Sequence, residues 1–160
     1  MSYASQLAKR FREVLLSGKW VTNTNLQEQL ANVTLSEANT SLTNLNSIAA
    51  LTYHINYYIE GVNAVFEGGA LTIRDRYSFD LPSLTTAEQW ADLKARLFAN
   101  AERFASHVEQ LSDEQLQATF VDEKYGNYLR NIDGLIEHAY YHLGQIVLIR
   151  KLLAQQEMTS

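Results

Sequence analysis

The chain of 160 residues contains no cysteine. Disulfides, thiolate nucleophiles and cysteine-ligated metal sites are therefore excluded, and the redox compartment stays open. Proline occurs once, at Pro82, and glycine only seven times, mostly between apolar-periodic segments. A sheet protein needs frequent turns built from these residues, so their scarcity predicts an all-α protein. No cluster or stripe of Lys and Arg appears, and the net charge is −5 at pH 7, which excludes a nucleic-acid footprint. No apolar run is long enough to span a bilayer. Residues 1–10 carry no apolar core ahead of a cleavage site, as a secretory signal would. These absences predict a soluble, cytoplasmic protein without nucleic-acid or membrane partners. Internal repeats and low-complexity segments are also missing.

What is present suits one globular domain over residues 1–160. Hydrophobic residues make up 46% and charged residues 19%, enough to bury a sizeable core. Leu7, Phe11, Val14 and Leu15 line one side of a first helix over about 2–16, with Gly18 behind it. Residues 19–41, rich in Asn and Thr, read as a long connection containing some helix. Ile48, Leu51, Ile55, Ile59 and Val62 recur at helical spacing over about 44–66, and Gly68-Gly69 stops that helix. Residues 70–84 lose the pattern and read as an extended crossover. Thr85 with Glu88 resembles a capping box for a third helix that continues to about 110. Ser112 to Gln115 reads as the cap of a short extra turn, and residues 120–126 as loop. The last helix covers about 128–154, on the order of 40 Å. Four helices with one long crossover between the second and third predict a four-helix bundle in up-down-down-up order.

Histidine concentrates the functional signal. His138 and His142 are four residues apart, so on a helix they stack on one face, and Leu135, Ile146 and Leu153 mark that face as inward. His54 lies three residues after Leu51 and four before Tyr58, on the buried side of the second helix. Buried imidazoles must find partners. Two readings stand at this point: three core histidines satisfied by carbonyls or tyrosines, or a tri-imidazole metal site. Three imidazoles with an open fourth position are the arrangement of a catalytic ion, and they suit Zn, Ni, Fe or Cu. Gly134, one turn below His138, would leave space for substrate; Gln145 and Tyr58 are spaced to hydrogen-bond the ligands. The run is not His-Glu-x-x-His, because Ala139 follows His138. Nor is it a di-iron carboxylate motif, because Leu51, Leu135 and Ala139 stand where glutamates would be needed. His107 reads as structural or surface. Tyr57 and Tyr140 read as helix packing or a dimer surface, and Arg74, Asp75 and Arg76 as a solvated loop rather than an anion site.

The context Leu51-Thr52-Tyr53-His54-Ile55, followed downstream by His138-x-x-x-His142 with Gly144-Gln145, resembles the DinB/YfiT-like metalloenzyme superfamily. The resemblance is sharpest over residues 47–69 and 127–150. It implies a DinB-like four-helix bundle, a homodimer, and a divalent metal ion (Zn, Ni or Fe) held by His54, His138 and His142. Relatives of that kind include transferases and isomerases that use a low-molecular-weight thiol, and some hydrolases. Two functional classes follow: a metal-dependent enzyme acting on a small molecule, or a non-catalytic metal-binding or structural bundle with a stress-related or sensory role.

Overall fold

Every helix start carries a polar side chain that takes up a free backbone N–H, and these caps set the punctuation of the chain. The computed structural model describes residues 1–159. Ser2 accepts the amide of Ser5 and opens α1 (Tyr3–Leu15). Asn25 opens α2 (Leu26–Leu30), and a Thr34–Glu37 capping box opens α3 (Leu35–Asn39). The Asn- and Thr-rich connection is thus two short helices. Ser47 caps α4 (Ile48–Phe66), which starts later than the periodicity suggests because Ser47 claims the amide of Ala50. Each such cap contributes about 1 kcal/mol.

The cap of α5 (Ala87–Glu109) differs from the expected Thr85–Glu88 box by one residue. Thr86 is the N-cap, and its hydroxyl takes the amide of Gln89. The Gln89 carboxamide in turn accepts from the N–H groups of both Thr85 and Thr86, at 2.7 and 3.1 Å. An amide that satisfies two orphan donors outweighs Glu88, and this frame also buries Trp90. The Trp90 indole N–H donates to the Val33 carbonyl at 2.7 Å, tying the α2–α3 connection to α5. Ser112 and Gln115 form the expected box at α6 (Asp113–Gln117). The loop that follows is pinched by an antiparallel bridge between Thr119 and Asn127 and holds a 3-10 turn at Glu123–Tyr125. Gly126 closes that turn with φ +73°, a conformation L side chains rarely adopt. The last helix, α7 (Tyr128–Thr159), runs past the expected 154; its 32 residues span about 48 Å.

The four long helices surround one apolar core, with α1 and α4 each lying against both α5 and α7. Directions follow from paired residues. Glu60–Arg96, Asn63–Asn100 and Glu67–Arg103 advance together, so α4 and α5 are parallel. Phe66 meets Tyr128 at one end while His54 meets His142 at the other, so α4 and α7 are antiparallel. Parallel neighbours require the long crossover of residues 70–84. It lies close against α4 because Gly61 has no Cβ; one placed there would overlap the Ile73 side chain. The crossover turns once, as a 3-10 turn at Asp75–Tyr77, directly over the histidines of α4 and α7. Among the described residues, no helix is long and apolar enough to cross a membrane.

Candidate metal centre

Helical spacing brings His138 and His142 together on α7, and the antiparallel contact with α4 delivers His54 to the same point. His54 Nε2 lies 3.0 Å from His138 Nε2, and His142 Nε2 lies 2.9 Å from it. The three potential ligand atoms all fall within 4.8 Å of one another. Two of the opposite ring nitrogens are occupied. His54 Nδ1 donates to the Ser78 carbonyl at 3.2 Å, and His142 Nδ1 donates to the Gln145 side-chain oxygen at 2.6 Å. These bonds place the proton of each neutral ring at Nδ1 and aim a lone pair at the shared centre.

Three converging Nε2 atoms cannot all be satisfied by each other. With Nδ1 protonated on two rings, only His138 has a proton to offer the centre. A cation removes the conflict. Tetrahedral Zn–N bonds of about 2.0–2.1 Å set ligand nitrogens about 3.3 Å apart, so the two close pairs, at 2.9 and 3.0 Å, need open by only a few tenths of an ångström to admit such an ion.

Electrostatics favour the ligating form. Burial, reinforced by His142 and His54, pushes the His138 pKa down to about 4. Burial also lowers His54, aided by His142 and opposed by the Ser78 carbonyl and Asp75. It lowers His142 against the pull of Gln145. Neutral imidazoles at pH 7 are ready to bind metal without first losing a proton.

The crossover supports the triad in a way that spacing could not reveal. Phe79 stacks on His54 with ring centroids 4.0 Å apart and an 11° interplanar angle. The contact from Ser78 is made by main chain, which leaves no side-chain signature. Gln145 stands where its three-residue spacing from His142 placed it. Tyr58 does not: its ring edges onto His54 and His138 at 5.1 and 5.2 Å, while its hydroxyl donates to Asp75 Oδ1 at 2.8 Å. A tyrosine hydroxyl extends beyond its own ring, and here it reaches past the imidazoles to the crossover.

A cavity of about 750 Å³ opens beside His138. Gly134 lines it as expected, and a Cβ at that position would meet nothing within 4 Å. Arg74 and Asp75 line it too while remaining exposed, so the solvated crossover also borders the cavity. Arg76 is exposed as well and lies over the Tyr77 ring. The protein's fourth histidine, His107, sits elsewhere, stacked on Phe66 and 3.4 Å from Glu67 Oε1.

Fold and site together define an all-helical protein whose three histidines could hold a metal ion beside an open cavity. A family model described as the DinB superfamily matches residues 21–146, and the chain belongs to that family. No curated protein and no solved structure is a significant match.

Proposed function

We propose that the chain is a divalent-metal-dependent enzyme in which His54, His138 and His142 hold one Zn, Ni or Fe ion facing the cavity. One observation carries the reading: His138 Nε2 lies 2.9–3.0 Å from the Nε2 atoms of both His142 and His54, all three fall within 4.8 Å of one another, and the Nδ1 atoms of His54 and His142 are held by acceptors. An ion held by three imidazoles, with a position open to substrate, supplies Lewis-acid chemistry, polarising a carbonyl or making a thiol or water nucleophilic near neutral pH. The residues of the chain do the positioning. Ser78 and Gln145 keep protons at Nδ1 of His54 and His142, and Phe79 shields the outer face of His54 from water. Tyr58, anchored by Asp75, lines the cavity beside His138.

The reaction class that suits this site and the DinB relationship is transfer of a low-molecular-weight thiol to a small electrophile, with hydrolysis as the same chemistry using water. The four long helices form an up-down-down-up bundle in this reading. Exposed Tyr141 and Leu148, seven residues apart on α7, form the contact with a second copy.

Elemental analysis of the purified protein beside His142→Ala tests the centre. About one ion per chain is expected in the wild type and a background level in the variant. An unchanged metal content in His142→Ala would sink the proposal. A loaded protein that transfers neither thiol nor water would be a metal-holding bundle rather than an enzyme.

A further inference from the structure

The face of α7 that carries the histidines continues below them. Arg130, Gly134, His138 and His142 follow at four-residue intervals, so they form one stripe, with Arg130 about 12 Å along the axis from His138. Gly134 leaves the space between them clear. The crossover adds Arg74 to the same cavity, and the loop before α7 adds Lys124. Three cations therefore face a single carboxylate, Asp75, which is engaged by the Tyr58 hydroxyl. This is the reverse of the chain as a whole, whose net charge is −5. A local excess of positive charge in an acidic protein concentrates anions at that point.

The three cations are not equivalent. Lys124 pairs with Asp122 at 3.4 Å, and Arg130 loosely with Glu137 at 3.6 Å. Among the described residues, the Arg74 guanidinium takes part in no ion pair. Its backbone is nonetheless pinned, because the Arg74 N–H donates to the Tyr57 hydroxyl at 2.8 Å and that hydroxyl donates to the Arg74 carbonyl at 3.0 Å. The fixed backbone holds the root of the side chain at the cavity, and the unengaged guanidinium has its donors available for a planar anion. The rest of the lining is largely apolar, with Val62, Leu71, Ile73, Phe120 and Leu135. The volume of about 750 Å³ suits a small molecule.

We propose that this cavity is a subsite for a small organic anion, whose carboxylate or phosphate is held by Arg74 with Arg130 and Lys124, and whose apolar body lies on the apolar part of the lining, with the reacting end at His138. The proposal deepens the reading of the triad as a reactive centre by naming the substrate class. It concerns residues outside the metal ligands.

Isothermal titration of the as-purified and the chelator-stripped protein tests it, with phenylacetate, phenyl phosphate, phenethylamine and phenylethanol as probes. At low salt an anionic probe should bind about tenfold tighter than the amine or the alcohol. Arg74→Gln should weaken the anion about fivefold to tenfold and leave the alcohol unchanged, with a smaller loss for Arg130→Gln. Arg96→Gln, an exposed arginine on α5, should leave every probe unchanged. The ratio of phenylacetate to phenyl phosphate tells a carboxylate from a phosphate source. Equal binding of acid and alcohol, or equal losses in Arg74→Gln and Arg96→Gln, would overturn the proposal. Because the stripped protein is included, failure of the anion subsite is separable from failure of the metal centre.

Discussion

Helices α1 and α5 meet across a dry seam, whereas α4 and α7 meet across a polar one. Between α1 and α5, the side chains of Leu7, Phe11, Leu97 and Phe104 are fully buried, and the Phe11 and Phe104 rings lie 4.4 Å apart. Polar contact is confined to the outside, where Arg12 reaches Glu102 and Glu109 at 2.6 and 2.7 Å. Between α4 and α7, two of the three histidines are as buried as core leucines, and their nitrogens face each other rather than water. Both seams follow from the same helical periodicity. The first stabilises by removing apolar area from water, the second gives up part of that gain to gather nitrogen ligands. Stability and chemistry are thus drawn from opposite sides of one molecule.

That division can be broken from either side. The largest effect on folding should come from the dry seam. Phe104→Ala removes a fully buried ring and should cost about 3–5 kcal/mol in urea unfolding, with the metal content of the folded fraction unchanged. A parallel fall in metal per folded chain would show that the seams are coupled. On the polar side, Gln145→Ala removes the acceptor that orients His142 and should weaken metal affinity about 10–100-fold in competition with a chelator, with little effect on unfolding. An unaltered affinity would leave Gln145 no part in the site.

A subtler contrast is pH dependence. Folded His138 takes up its proton only near pH 4, while in the unfolded chain it does so near the ordinary 6.5. Between those values the unfolded state binds more protons, so acidification favours it and stability rises with pH across the window. Metal-free protein should therefore lose melting temperature from pH 6.5 down toward 4, and His138→Gln should flatten that slope. A slope of equal steepness in the variant would place its origin elsewhere. The smallest effect is expected at Gly134. Its Cβ position is open and helical, so Gly134→Ala should raise stability by about 0.5–1 kcal/mol while narrowing the cavity beside His138. Destabilisation on thermal melting would mean that the space is occupied.

Much of the polar seam was legible before any coordinates. His138 and His142 share a helix, so four-residue spacing alone made them neighbours, and the same rule placed Gln145 beside His142. His54 was placed on the buried face of its helix, but its distance from the pair depended on how α4 and α7 cross. The Thr85–Glu88 box was off by one residue because Thr85 and Thr86 offer the same hydroxyl, and only the reach of Gln89 separates them. The extension of α7 to Thr159 lay beyond the last regularly spaced apolar residues, where periodicity has nothing to report.

The sequence by itself determined the all-helical class, the inward faces of the helices and the residue types able to bind metal. These follow from periods of three to four residues and from side-chain chemistry, both of which are local. Tertiary structure decided what surrounds the triad. The crossover has no period, so nothing in its composition announced that Ser78 would offer a carbonyl to His54, that Phe79 would cover it, or that Arg74 would open onto the cavity. Those contacts exist because α4 and α5 run parallel, which forces the chain back across the end of α4 where His54 lies, and that is a property of the whole fold.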